Sequence, residues 1–145
     1  MQKLLPPILA ILSIILMVGL FYIMPIMWIS THPIVAGILI CLGLGLLIGG
    51  SRMFAQVGTN IKTFNDPNKL VTTGLFRFSR NPMYLGFTCL LTGIALVVGS
   101  LSALFVALAF FLITNFWYIA FEEQKMEQVF GQEYLAYKQK TRRWL

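Results

Sequence analysis

Two long stretches of this chain carry no charged side chain: residues 4–51 and residues 81–121 contain no Asp, Glu, Lys or Arg. A bilayer-spanning helix needs about 20 apolar residues, so each stretch has room for two spans and the turn between them. Over the whole chain 58% of the residues are hydrophobic and 11% are charged, whereas soluble domains are roughly one quarter charged. This composition excludes a water-soluble globular domain and a disordered chain, and it predicts an all-α polytopic membrane protein.

The two stretches predict four transmembrane helices, arranged as two hairpins in a single membrane domain over residues 1–145. Pro6 and Pro7 mark the start of the first helix, where a missing backbone N–H costs little, and Pro25 should kink or end it. We expect spans at residues 7–29, 34–54, 83–100 and 101–121, a loop at 55–82, and a C-terminal amphipathic interfacial helix at 122–141.

If this chain crosses the membrane four times, all of its Lys and Arg side chains lie on the same side of the membrane. Lys3 precedes the first span, and the others lie between Arg52 and Arg80 or after residue 121. Positively charged segments stay in the cytoplasm, so both termini and the loop are predicted to be cytoplasmic. The net charge of +6 then reflects topology and attraction to anionic lipid headgroups. We therefore expect the bilayer, and no nucleic acid, as a partner.

Glycines within the spans predict close helix packing. Gly45 and Gly49 lie four residues apart in the second span, a spacing that lets two helices approach closely. The sequence lacks the combinations of residues that hydrolytic and metal chemistry require. His32 is the single histidine, and Cys41 and Cys89 lie in different hairpins. No Ser-His-Asp set can form, and no metal site is expected.

An acidic pair, Glu122-Glu123, closes the predicted fourth span. The C-terminus of a helix is partially negative and favours cations, so the pair indicates a cationic partner. That partner is either Arg77 and Arg80 or a bound cationic ligand. The loop that carries these arginines has two interpretations, an interfacial segment anchored at the headgroups or a segment folded over a polar ligand.

Two polar residues precede the acidic pair inside the predicted span. Asn115 and Tyr118 lie seven and four residues before Glu122, which places all three on one face of a regular helix. An Asn within a membrane is costly unless it has a partner or lines a polar cavity. Asn115 is therefore expected either in an interhelical hydrogen bond or at a cavity that receives a substrate.

Four elements of the sequence, taken together, resemble the integral-membrane methyltransferases, which include isoprenylcysteine carboxyl methyltransferase and the phospholipid N-methyltransferases. The elements run in the family's order from about Phe54 to the C-terminus. They are Leu70-Val71-Thr72-Thr73-Gly74-Leu75-Phe76, Arg80-Asn81-Pro82-Met83-Tyr84-Leu85-Gly86, the pair Glu122-Glu123, and Phe130-Gly131-Gln132-Glu133-Tyr134-Leu135-Ala136-Tyr137.

The resemblance implies an S-adenosylmethionine-dependent methyltransferase with its cofactor pocket at the cytoplasmic face, formed by the loop and the tail. The acceptor would be a lipophilic or lipidated molecule, such as an isoprenylcysteine-like carboxylate or a phospholipid amine. Glu122 is the candidate catalytic residue, and Asn115 and Tyr118 are candidate substrate residues. By motif position the cofactor residues would be Lys69, Leu70, Val71, Phe76, Asn81, Pro82, Met83, Tyr84, Glu122 and Glu123.

The chain departs from the family motifs at two positions that bear on the chemistry. Asn81 stands where the motif has His, and an amide can donate a hydrogen bond but cannot transfer a proton. Tyr118 stands where the isoprenylcysteine enzymes have an Arg, four residues before the first Glu. Recognition of a substrate carboxylate by that Arg is therefore lost.

Two other functions are compatible with the sequence. Sterol-reductase-like membrane enzymes, which use NADPH, are similar in their C-terminal half but are much longer. A small four-helix transporter or a non-catalytic assembly protein is the other alternative. A proton-coupled transporter should carry an acidic residue in mid-membrane, whereas Glu122 and Glu123 lie at the predicted boundary.

Overall fold

The computed structural model describes residues 5–23, 32–58 and 68–145. Within these ranges the chain forms helices and turns, with one isolated backbone bridge and no strand. The all-α prediction is therefore confirmed for the described part of the chain. Pro25 and Lys3 lie outside the described residues, as does the end of the predicted first span. The elements are α1 Pro6–Ile23, α2 Pro33–Val57, a 3-10 turn Gly74–Arg77, α3 Pro82–Val98, α4 Leu101–Ile113, a π-helical turn Thr114–Tyr118, α5 Ile119–Phe130 and α6 Gln132–Lys140.

Prolines and glycines account for most of the helix ends. Helices α1, α2 and α3 each begin with a proline, which fits the first turn because no helical partner is lost there. Gly58 and Gly99 follow the last residues of α2 and α3 with φ angles of 68° and 66°, the left-handed conformation that ends a helix at low cost in glycine. Helix α2 consequently runs past its predicted end at residue 54, as far as Val57.

The protein is an integral membrane protein. Within the described ranges, three helical segments are long and apolar enough to cross a bilayer: α1, α2 and the continuous segment Leu101–Phe130. Their surfaces expose large apolar side chains, for example Ile15, Ile34 and Phe105, which suits contact with lipid. Helix α3 is apolar but has 17 residues, about 25 Å against a hydrocarbon core of about 30 Å. The four-span topology and the cytoplasmic termini therefore stay predictions.

The helix of the predicted fourth span does not end at residue 121, where the C-terminal interfacial helix was expected to begin. The end of the span itself at that residue stays a prediction. Helix α4, the π-helical turn and α5 form one helical segment from Leu101 to Phe130. Charged residues such as Glu and Lys are good helix formers, so leaving an apolar stretch does not end a helix. The break comes at Gly131, where φ is +51°, and α6 follows. Glu122 and Glu123 thus lie inside a helix, and the helix-end argument for a cationic partner does not apply.

Helices α2 and α3 make the most extensive contact of the described elements, and α1 packs on α3 and α4. A Cβ atom at Gly43 would lie 2.7 Å from the Gly86 carbonyl oxygen, and one at Gly93 would lie 2.9 Å from the Ala36 carbonyl oxygen. A Cβ atom at Gly45 would meet nothing within 4 Å. The prediction that Gly45 and Gly49 permit the close approach of two helices is therefore wrong for Gly45, and Gly43 has that role. A Cβ atom at Gly49 would lie 2.8 Å from the side chain of Leu75, in the 3-10 turn.

We expect Gly43→Ala to destabilise the protein by about 1–3 kcal/mol, because the added methyl group meets backbone atoms of α3 that have no room to move. Gly45→Ala is the matched control, since it makes the same change two residues away in open space. It should be neutral or slightly stabilising. Thermal unfolding in detergent, followed by circular dichroism, checks this expectation, and equal midpoints for the two variants would contradict it.

Candidate active site

A cavity of about 240 Å³ lies where the start of α3 meets α5 and α6. The start of α1 and the end of α2 complete its wall. The lining is mostly apolar and aromatic, with a few charged and amide groups. The lining residues are Leu5, Pro6, Pro7, Phe54, Leu70, Val71, Phe76, Arg80, Asn81, Pro82, Met83, Tyr84, Phe87, Glu122, Glu123, Lys125, Met126, Tyr134 and Tyr137.

Most of the site residues named from the sequence come together here. Every predicted cofactor residue except Lys69 lines the cavity, although the residues come from segments far apart in the chain. Lys69 is exposed and is not part of the lining. Asn115 and Tyr118, the candidate substrate residues, also lie outside the lining. The assignment of these residues to a cofactor or a substrate stays a prediction.

Glu122 and Tyr84 connect α5 to the first turn of α3. The Tyr84 hydroxyl donates a hydrogen bond to Glu122 Oε1 at 2.9 Å, and both side chains line the cavity. Tyr84 is buried, so its hydroxyl holds the carboxylate in a defined position beside aromatic surfaces. A carboxylate in this setting can hold a cationic ligand or accept a proton.

Glu123 is buried and binds two guanidinium groups. Arg80 Nη2 lies 2.7 Å from its Oε1 atom, and both side chains are less than one tenth exposed. Arg143 approaches the same carboxylate with Nη2 2.5 Å from Oε2 and Nε 3.1 Å from Oε1. Of the cationic partners named from the sequence, Arg80 is therefore in place, whereas Arg77 is exposed. Arg143 was not predicted.

Arg80 also holds the end of α6. Its Nη1 atom donates to the carbonyl oxygens of Lys138 at 3.0 Å and Thr141 at 2.7 Å, which are orphan acceptors at a helix C-terminus. Among the described residues its buried Nε–H has no hydrogen-bond partner. Arg80 lines the cavity, and its Arg-Asn-Pro motif was the signal that could have added it to the predicted site.

Two tyrosines of α6, Tyr134 and Tyr137, line the cavity. The Tyr137 hydroxyl donates to the Phe76 carbonyl oxygen at 2.6 Å, and burial raises the pKa of Tyr137 to about 12. Burial, assisted by the negative charge of Glu123, also raises the pKa of Tyr134. Both phenols are therefore neutral at physiological pH. Their spacing of three residues on one helix was visible in the Phe-Gly-x-x-Tyr-x-x-Tyr element.

The C-terminal tail, residues 141–145, folds back onto the site. The backbone N–H of Arg80 donates to the Arg142 carbonyl oxygen at 2.9 Å, within the isolated bridge between Ser79 and Arg142. The indole N–H of Trp144 donates to Asn115 Oδ1 at 3.0 Å. The polar side chain of Asn115 is thus satisfied by the tail. Among the described residues it forms neither of the two arrangements expected from the sequence, an interhelical hydrogen bond or a place in the cavity lining. The basic and aromatic composition of the tail was compatible with docking but did not indicate where it docks.

A family model for phospholipid methyltransferases matches residues 31–133 of the chain. The chain belongs to the phospholipid methyltransferase family. It is also 43% identical over 63 residues to an uncharacterized protein of Haemophilus influenzae, a match that covers 43% of this chain and all of that protein. No solved structure matches the chain.

Family membership makes this protein a membrane methyltransferase. The matched range includes the segments of the cavity wall from Phe54 to Met126. It ends before Tyr134 and before the tail at residues 141–145. The contacts of Tyr134, Tyr137 and the tail with the rest of the site are therefore seen in the structure and lie outside the matched range.

Proposed function

We propose that the protein transfers a methyl group from S-adenosylmethionine to a lipophilic acceptor at the membrane surface. The observation that carries this proposal is the placement of Glu122, held by Tyr84, in an aromatic cavity where the apolar part of the long helix gives way to polar α5. Such a position can be reached both by a polar donor from water and by an acceptor from lipid.

The residues of the cavity fit S-adenosylmethionine by charge. Its sulfonium and ammonium groups are cationic, and the Glu122 carboxylate and the faces of Phe54 and Phe76 suit cations. Its carboxylate suits the buried Arg80 Nε–H, which lacks a partner among the described residues. The cavity volume of about 240 Å³ lies below the usual range of about 300–1,000 Å³ for small-molecule sites.

When bound, S-adenosylmethionine supplies a methyl group that is already activated toward displacement. The protein has to align the acceptor in line with that group and exclude water, and the apolar lining of the cavity favours both. An amine must be neutral before it attacks, and Glu122 can accept its proton. A carboxylate acceptor needs no base.

We further propose a phospholipid amine as the first acceptor to test, with an isoprenylcysteine-like carboxylate as the second. The family match and the placement of Glu122 favour the amine. Tyr118 in place of the Arg of the isoprenylcysteine enzymes removes a cation that would recognise a carboxylate. The distribution of Lys and Arg supports a cytoplasmic position for the cavity.

The proposal is tested with the purified full-length protein in detergent. Calorimetry should show binding of S-adenosylmethionine and none of NADPH. Incubation with methyl-labelled donor should then transfer label to phosphatidylethanolamine vesicles in preference to a prenylated peptide with a free carboxylate. Binding of NADPH would support the reductase alternative instead, and binding of neither molecule would support a transporter or assembly protein.

A further inference from the structure

Arg143 contacts residues on two different walls of the cavity. Its guanidinium binds both oxygens of Glu123 on α5. Its backbone carbonyl oxygen accepts a hydrogen bond from Asn81 Nδ2, at the start of α3, at 3.1 Å. The Ser79 hydroxyl lies 3.4 Å from the same carbonyl oxygen. One residue of the tail therefore connects the segment entering α3 to the acidic pair.

Arg143 itself is not among the residues that line the cavity, whereas Glu123 and Asn81 both are. Its side chain is about one third exposed, while that of Glu123 is buried. Any effect of Arg143 on a ligand in the cavity must therefore pass through the residues that it holds. Asn81 replaces a histidine of the family motif, and its amide is used here to bind the tail.

The tail is fixed in place on its other side by Trp144. The indole donates to Asn115, and its ring packs against Phe111 with ring centroids 4.9 Å apart. Both partners belong to the segment Leu101–Phe130, N-terminal to the acidic pair. Arg143 is thus fixed on both sides: Trp144, which follows it, packs against Phe111, and Arg142, which precedes it, forms the backbone bridge with Ser79.

We propose that Arg143 is a positioning residue for methyl transfer: it sets the distance between the start of α3 and α5, and so sets the shape of the donor site. This inference rests on the proposed function. It extends the site beyond the matched family range, which ends at residue 133. Because Arg143 acts through Glu123, the effects of changing the two residues should overlap.

The test measures the affinity of the full-length protein for S-adenosylmethionine in a double-mutant cycle of Arg143→Gln and Glu123→Gln. Arg143→Gln should weaken binding about tenfold, since it removes charged hydrogen bonds and leaves a buried carboxylate underpaired. In the Glu123→Gln background the same change should alter affinity by less than about twofold. Arg143→Lys, which keeps the charge, should recover part of the loss.

Lys140→Gln is the matched control, because it removes one positive charge from an exposed position three residues away. It should leave affinity within about twofold of the original protein. Equal affinities for the Arg143→Gln and Lys140→Gln proteins would overturn the proposal. Additive losses in the cycle would also overturn it, since they would mean that Arg143 acts on the donor independently of Glu123.

Amide hydrogen exchange separates failure of this inference from failure of the proposed function, because it needs no donor. The Arg80 N–H is bonded to the tail, so exchange in a peptide covering residues 77–81 should be about tenfold faster in Arg143→Gln than in Lys140→Gln. If the original protein binds no S-adenosylmethionine, the proposed function fails and the exchange result alone decides on Arg143. Unchanged exchange would then overturn the positioning role.

Discussion

Replacing Glu122 with Gln is expected to lower the rate of methyl transfer to an amine acceptor by about 10²–10⁴-fold, the usual contribution of a general base. The amide keeps the size of the side chain and can still accept the Tyr84 hydrogen bond, so the fold should be retained. The affinity for S-adenosylmethionine should also fall, because a negative charge is removed from beside a cationic donor. Rates with labelled donor and phosphatidylethanolamine vesicles provide the measurement.

Glu133→Gln is the control for this variant, since Glu133 lies exposed in the first turn of α6. It should leave rate and affinity within about twofold of the original values. Tyr84→Phe, which removes the donor to Glu122, should weaken donor binding while the protein still inserts into membranes. Unchanged donor affinity in both Glu122→Gln and Tyr84→Phe would remove these two residues from the site.

Replacing Arg80 with Gln is expected to destabilise the fold by about 3 kcal/mol, the lower end of the range for breaking a buried ion pair. The lower end applies because Arg143 stays bound to Glu123 after the change. The variant also removes the donors that satisfy the Lys138 and Thr141 carbonyl groups at the end of α6. Denaturant unfolding in detergent measures the free energy of unfolding.

Arg77→Gln is the matched control, three residues earlier in the same segment and exposed. It should change the free energy of unfolding by less than about 0.5 kcal/mol. The comparison also tests whether Arg80 alone, of the two arginines named together from the sequence, is the partner of the acidic pair. A large loss of stability in Arg77→Gln with little in Arg80→Gln would contradict the ion-pair geometry.

The helices could be predicted because their signals are local. Charge-free runs, the prolines at positions 6 and 7, and the short linked motifs each act within a few turns of the chain. Residues that line the cavity, from Leu70 to Glu123, were found through motifs whose order is kept along the sequence. The sequence around Gly43 and Gly45 does not show which of the two glycines faces α3. That depends on the side of α2 on which α3 packs, which the structure shows to be the side of Gly43.

The rest of the site could not be predicted, because its contacts join positions far apart in the chain through irregular backbone. Arg143 binds Asn81 and Glu123, and Trp144 binds Asn115. The basic and aromatic composition of the tail suits binding to lipid headgroups as well as docking on the protein. A short extended segment also has no periodic pattern from which its position could be predicted. The end of the long helix was misplaced for a related reason, since loss of hydrophobicity marks the membrane surface and does not mark a helix end.

The π-helical turn at Thr114–Tyr118 sets the rotational phase between the two halves of the long helix. A regular α-helix would place Asn115 in line with Glu122, seven residues on. The wider turn shifts the residue that shares a face with Asn115 by about one position, from Glu122 to Glu123. Asn115 and Glu123 accordingly both bind Arg143, while Glu122 binds Tyr84. Adjacent residues of any α-helix point about 100° apart, so the offset decides which of the two neighbouring carboxylates lies on the same face as Asn115. Any transplant of the membrane half of this helix onto another scaffold would have to preserve that offset.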